Sequence, residues 1–265
     1  MAKEGLIYFH QGWTDIINSL SLVQYYSNKY ENIHLVMRED AREVVDFFTK
    51  KITNCHIHYM NKEEISSPDD MLKIASSELA VQKDILFHGI GDFCRNDGYR
   101  DRFKTSCSSL PLGSSGGHFV KKFYTCYDLS YEYRVDMFNF ERDHDLEERE
   151  YLNFIKTYGS GPYSLYHEPS YRKISFEKKE NIKYINLDGI TDNPFSFVKI
   201  IENCEELHLV DSIWASLVYL LNFKVKSLKN KKTYIYWLGR YGGLMNSQTD
   251  VILEPYNLNN FTLMQ

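Results

Sequence analysis

Short apolar runs alternate with helical periodicity through the first half of the chain. Residues 6–9 form an apolar run that ends in a glycine-containing turn, and Ile16, Leu20 and Val23 then recur at helical spacing as far as Tyr26. Residues 33–37 predict a second strand, and Val44, Phe48 and Ile52 mark one face of a second helix. A third strand follows at 56–59, a helix around 71–80, and a fourth strand at 85–87. Strands separated by helices of this length predict βαβ units on a parallel sheet.

The alternation stops between Gly89 and Gly117, where Gly, Ser, Asp and Arg dominate, including the run Leu-Gly-Ser-Ser-Gly-Gly at 112–117. Loops of that length in compact domains are usually functional or mobile. A charge-dense segment at 139–149 leads into a helical stretch to Tyr158 and a Gly-Ser-Gly-Pro break at 159–162. This composition shift places a domain boundary near residue 150, giving units 1–150 and 151–265. The second half repeats the first. Residues 163–166 and 183–187 predict strands, and Asn193 followed by Pro194 is a helix start. Phe197, Ile201 and Cys204 give that helix its apolar face. Residues 206–210 predict the next strand, and Asp211-Ser212 caps a helix whose Trp214, Leu217, Val218 and Leu221 share a face. Late strands are expected at 224–228 and 233–237. The expected architecture is α/β, with two Rossmann-like domains whose parallel sheets face across a cleft, and with the working surface in that cleft.

Composition narrows the function classes. The chain has 265 residues, 43% apolar and 25% charged, enough for real cores in two compact units. Its net charge of −5 gives no electrostatic reason to expect nucleic acid as partner. The apolar run at the N-terminus is too short for a signal peptide, and no stretch approaches the roughly 20 apolar residues of a membrane span. The five cysteines are scattered without a CxxC pair, which predicts reduced thiols and a cytoplasmic protein rather than a zinc ribbon or disulfide scaffold. Tyrosine is frequent, at 21 residues, but coding bias accounts for that as well as sugar stacking does.

Candidate chemistry gathers where strands end. Three strands terminate alike, in Phe9-His10, Phe87-His88 and Tyr166-His167, and each histidine is followed by turn residues. In open parallel sheets ligands bind beyond the carboxyl ends of the strands. Any one of these histidines reads most simply as a strand cap; three in one topological position carry more. The same logic puts Gly12, His88, Gly91 and Asp92 at the cleft. Asp15 follows the first turn and opens the first helix, where the helix N-terminus favours its carboxylate. It is an ordinary first-turn acid or, with His10 beside it, the catalytic candidate: a general base within reach of an incoming hydroxyl. Asp211 and Ser212 offer amides and a hydroxyl to a phosphate, although a plain N-cap has the same sequence. His167, Arg172 and Lys173 lie close by; the two cations either neutralise a diphosphate or are solvated surface charges.

Other signatures are missing or have simpler readings. No GxxxxGK[ST], no GxGxxG after the first strand and no HExxH occurs. Asp143-His144-Asp145 fits a metal-holding DxD, but it sits in a charged run and reads as the start of an exposed helix. The lysines 224, 226, 229, 231 and 232 read as an edge strand and turn protected by charge.

These residues together resemble a glycosyltransferase of the GT-B type. The strand, His-x-Gly-x-x-Asp turn and helix from His10 to Leu22 resemble the opening of heptosyltransferase-like enzymes. The run from Ile200 to Ser212 resembles their nucleotide-sugar half. Trp13-Thr14 departs from that family, which has smaller residues in the turn. The resemblance implies an N-terminal acceptor-side domain and a C-terminal nucleotide-sugar domain. It implies Asp15 as the base of an inverting transfer, and His167, Arg172, Lys173 and Ser212 as the donor grip. It also implies no metal and no cofactor beyond the nucleotide-sugar donor, with a carbohydrate hydroxyl as acceptor. Two rival readings remain: a non-catalytic nucleotide or nucleotide-sugar binding protein with no use for Asp15, and a metal-dependent GT-A type transferase built on Asp143 and Asp145.

Overall fold

The computed structural model describes residues 4–9, 12–65, 70, 73–74, 77–87, 121, 123–124, 128–170, 173–210, 212–236 and 259–264. The chain divides into two compact units, Met1–Asn139 and Phe140–Gln265.

In the first unit, strands β1 (Glu4–Tyr8), β2 (Asn32–Arg38), β3 (Cys55–Met60) and β4 (Lys83–Phe87) form a sheet in the order β3-β2-β1-β4. Every pairing is parallel. Helix α1 (Trp13–Ser27) joins β1 to β2, and α2 (Arg42–Thr49) leads to β3. Gly5 in β1 leaves room for the Tyr30 ring, which a Cβ there would meet at 3.2 Å. Helix α2 is amphipathic: Val44, Val45 and Phe48 are buried, while Glu43 and Asp46 face water. Helix α1 is different. Ile16, Ile17, Leu20, Leu22 and Val23 are buried, and so are Asp15, Asn18, Ser19 and Ser21. Burying each large aliphatic side chain contributes about 1.5–3 kcal/mol, but each buried polar group costs unless it is bonded. The short helix α3 (Tyr133–Asp136) supplies partners for that polar stripe. Of the helix expected at 71–80, residues 71–72 and 75–76 lie outside the described residues. Its end, Glu78–Ala80, is a single 3-10 turn.

In the second unit, the order is β6-β5-β7-β8-β9, again parallel throughout. The strands are β5 (Tyr163–His167), β6 (Lys183–Asn186), β7 (Glu206–Val210), β8 (Lys232–Tyr236) and β9 (Phe261–Met264). Helix α4 (His144–Tyr158) precedes the sheet, α5 (Val198–Asn203) precedes β7, and α6 (Ile213–Lys224) follows it. Asn193 starts its turn as expected, its side chain accepting the Phe195 N–H at 3.2 Å with Pro194 next in line. The apolar face of α6, Trp214, Leu217, Val218 and Leu221, is buried. Helix α4, which a boundary at 150 would cut, belongs wholly to the second unit. Phe154 packs on Tyr163 and Phe197, and Arg142 ties Glu147 to Glu202 of α5.

Two expectations for the late chain are corrected. Residues 224–228 are not a strand: Lys224 closes α6, and Lys226–Asn230 is a 3-10 helix. Its buried Leu228 and the buried Val225 just before it are three apart, the period of a 3-10 turn and not of a strand. Nor do the lysines guard an edge, because β8 is flanked by β7 and β9. Lys231 instead donates to the carbonyls of Glu202 and Cys204 at the end of α5, where a cation relieves the exposed carbonyl groups. Strand β9 was not foreseen, and Trp237 lies outside the described residues.

Candidate functional site

Each sheet has one point where the chain order reverses. In the first sheet β1 is followed on one side by β2 and β3 and has β4 on the other. In the second, β5 has β6 on one side and β7 on the other. Crossovers leave such a strand on opposite faces, opening a crevice beyond its carboxyl end. Ligand-facing residues are therefore expected on the segments that follow β1 and, in the second unit, β5 and β7.

At the first crevice, the Phe9 amide continues the ladder by donating to the Val36 carbonyl at 3.1 Å. Gly12 is the N-cap of α1, with φ −70° and ψ 172°, and its carbonyl accepts from Asp15 and Ile16 at 3.0 and 3.1 Å. That conformation is open to any residue, and a Cβ at Gly12 would meet nothing within 4 Å. Glycine here leaves space against the helix start. Asp15 sits in the first turn of α1 and is only 8% exposed. A buried carboxylate at a helix N-terminus is favoured by the unpaired amides and the dipole. His10, His88, Gly91 and Asp92 lie outside the described residues.

The first turn of α1 is bound from behind by side chains that sequence reasoning missed. Asn18 donates through Nδ2 to the Thr14 carbonyl at 2.9 Å and accepts at Oδ1 from Arg134 Nε at 2.9 Å. Ser21 donates to the Arg134 carbonyl at 2.7 Å, and the Tyr124 hydroxyl donates to the Asn18 carbonyl at 2.6 Å. Arg134 is 1% exposed. The legible signal was the set Asp15, Asn18, Ser19 and Ser21, polar positions interleaved with apolar ones on a helix too buried to show them to water.

At the second crevice, His167 closes β5 and is buried, its Nε2 3.9 Å from Asp188 Oδ1. The loop after it is pinned to β6 by a reciprocal pair: the Glu168 amide donates to Asn186 Oδ1, and Asn186 Nδ2 donates to the Glu168 carbonyl, each at 3.1 Å. Lys173 does not stand free. It is 76% exposed and donates to Glu168 Oε1 at 2.8 Å. That bond and the Ile174 amide at 2.9 Å hold the Glu168 carboxyl below its ordinary range, and Glu168 in turn raises the lysine. Across the crevice, beyond the end of β7, which pairs with β5, Ser212 is the N-cap of α6 and is 8% exposed. Its backbone carbonyl takes the Ser216 amide at 3.0 Å, but its hydroxyl caps nothing and has no hydrogen-bond partner among the described residues. His167 and Ser212 thus flank one crevice, with Lys173 turned toward Glu168. Arg172 and Asp211 lie outside the described residues.

Other features have separate roles. Asp143 is the N-cap of α4 and accepts from the Leu146 amide at 3.1 Å, so the DxD begins a helix. Among the described residues no group of three His, Cys, Asp or Glu can hold a metal ion. A polar pocket of about 350 Å³ opens at the amino end of the second sheet, among Glu205, Glu206, Lys231 and Lys232. It lies opposite the carboxyl ends, and Lys179 within it is paired with Glu206. No described helix is long and apolar enough to cross a membrane.

No protein-family model matches the chain, and no curated protein matches it in sequence. Among solved structures it is similar to the glycosyl transferase family 9 protein from Veillonella parvula DSM 2008, with a TM-score of 0.53 and 10% identity. That match covers 99% of this chain and 85% of the other. The E. coli heptosyltransferase WaaC with ADP matches with a TM-score of 0.42 and 10% identity, over 98% and 92% of the two chains. With two Rossmann-like units of parallel strands in succession, the chain has the fold of the GT-B type glycosyltransferases.

Proposed function

We propose that the chain is a metal-independent, inverting glycosyltransferase that moves a sugar from a nucleotide-sugar donor to a carbohydrate hydroxyl. The observation that carries this reading is a pair of helix starts beside the two switch points: a buried acid, Asp15, at one, and an uncommitted buried hydroxyl, Ser212, at the other. The first supports a general base, the second a cradle for phosphate oxygens in which the α6 amides and the Ser212 hydroxyl donate. His167, Arg172 and Asp211 complete the donor side, with Lys173 exchanging its Glu168 contact for phosphate.

In the step, the acceptor oxygen attacks C1 of the donor sugar opposite the diphosphate while Asp15 takes its proton. The C1–O bond breaks, and the nucleoside diphosphate leaves with the electron pair. Helix amides and cations stabilise the charge that gathers on it. The engagement of Lys173 by Glu168 leaves fewer free cations for that task and favours, as second reading, a nucleotide-sugar binding protein without catalysis.

A thermal-shift panel of nucleotide sugars, followed by transfer and donor-cleavage assays, separates the two. A donor at 100 times its dissociation constant stabilises by about 2.7 kcal/mol, a shift of roughly 5 °C. Asp15→Asn is expected to keep that shift and lower transfer by about 10² or more. A shift with no turnover by the wild type selects the binding protein; no shift with any nucleotide sugar defeats both readings.

A further inference from the structure

Helix α1 carries a buried polar stripe, and a buried cation from α3 is fastened to it. Side chains of a helix lean toward its N-terminus, so the Asn18 amide rests on the turn that contains Asp15. Its bond to the Thr14 carbonyl records that placement. The oxygen of the same amide accepts from Arg134 Nε, which brings the guanidinium to the level of the first turn. The guanidinium is fixed on its other side by Nη1 donating to the Tyr131 hydroxyl at 2.8 Å. A charge this deep is screened little by water and acts strongly on a carboxylate one turn away. Neighbours register it: burial pushes the Tyr124 hydroxyl far up, and the Arg134 charge works against that rise.

We propose that Arg134 is the positioning residue of the first-unit site: clamped against Asn18, its guanidinium locks the α1 start and holds the Asp15 carboxylate in its charged form. The role of Asp15 as base rests on the function proposed above; the coupling between the two residues does not. Among the described residues, the Tyr131 hydroxyl takes the guanidinium, the Tyr124 ring packs on Tyr131, and Tyr25 and Tyr133 stack on each other further along. The acids of the packed elements, Glu43 and Asp46 on α2 and Asp136 on α3, are exposed.

The test is the titration of Asp15 itself, followed by carbon-13 NMR of the labelled side-chain carboxyl and assigned with Asp15→Asn. The wild-type carboxyl is expected to titrate below the ordinary aspartate value of about 3.9. Arg134→Gln should raise its midpoint by about one unit or more, and Arg134→Lys should restore part of the difference. Equal midpoints in wild type and Arg134→Gln overturn the proposal. Where Arg134→Gln unfolds, the wild-type measurement decides alone: a midpoint at or above about 3.9 overturns the proposal. Where turnover is measurable, the acid limb of kcat/KM should move with the NMR midpoint, whereas a merely structural arginine would lower kcat and leave the limb in place. A coupled Asp15 whose Asn variant turns over normally would leave this proposal standing and remove Asp15 from the reaction.

Discussion

Ser212 shows how far single residues were readable. Its position after β7 and before an apolar helical face marked it as a helix start, and it is one. Sequence could not reveal that the hydroxyl is buried and caps nothing, because a capping serine and an idle one have the same neighbours. An N-cap serine replaced by alanine ordinarily costs about 1 kcal/mol. Here there is no cap bond to lose, and removing a buried hydroxyl that has no partner among the described residues relieves a desolvation cost of about 1–3 kcal/mol. Ser212→Ala is therefore expected to melt at or above the wild-type temperature, yet to bind nucleoside diphosphate about tenfold or more weakly, the scale of one lost bond to a charged group. Calorimetry and melting of the same variant check both halves, and a variant that melts lower while binding normally would mean the hydroxyl serves the fold. Lys173 teaches the opposite lesson. A cation near the expected donor loop reads as a phosphate ligand, but Glu168, five residues earlier, holds it.

At the scale of elements, Arg142 clamps α4 to α5. Its guanidinium donates to both oxygens of Glu147 on α4, with Nε at 3.0 Å from each, and to both oxygens of Glu202 on α5 at 2.8 and 2.6 Å. Glu147 is 1% exposed, so Arg142→Ala leaves a buried carboxylate without its partner. The expected cost is about 3–5 kcal/mol, read as a lower denaturant midpoint. Burial pushes the Glu202 carboxyl upward, but the bonds from Arg142 and Ser227 outweigh it, and the group sits below its ordinary range. A carboxyl depressed in the folded state contributes stability that is present above its unfolded value and is lost as pH falls through the folded one. Acid unfolding of the wild type should accordingly begin below about pH 4, and the Arg142→Ala midpoint should depend less on pH there. A variant as acid-sensitive as the wild type would mean the clamp is not what acid breaks. None of this was legible: Arg142 and Glu147 lie in a charged stretch that reads as solvated, and Glu202 lies 60 residues beyond Arg142. The periodic elements were legible because burial writes its period into apolar residues, as at 206–210. Strand β9 was not, being four residues long, half-exposed and remote from the strand it joins.

For the whole molecule, two parallel sheets followed from the repeated alternation of short apolar runs and helical stripes, since parallel strands need a crossover between them. The requirement for metal is a question at this scale too, because it asks where the chain can put cations against a leaving diphosphate. A bound Mg²⁺ needs one or two fixed carboxylates besides substrate phosphates. Asp143 is occupied as a helix cap and Asp145 is exposed, so the DxD offers no fixed pair. Among the described residues at the second-unit crevice, the groups that can face a diphosphate are the α6 amides beside Ser212, the His167 ring, and Lys173 once it leaves Glu168. The function proposed above then predicts that transfer, or donor cleavage, persists in excess EDTA and gains nothing from added Mn²⁺. Activity lost in EDTA, regained with Mn²⁺ and abolished by Asp143→Ala or Asp145→Ala would return the catalytic work to a metal. Asp145→Ala is the sharper of the two, because it leaves the helix cap intact: a loss there cannot be blamed on the start of α4.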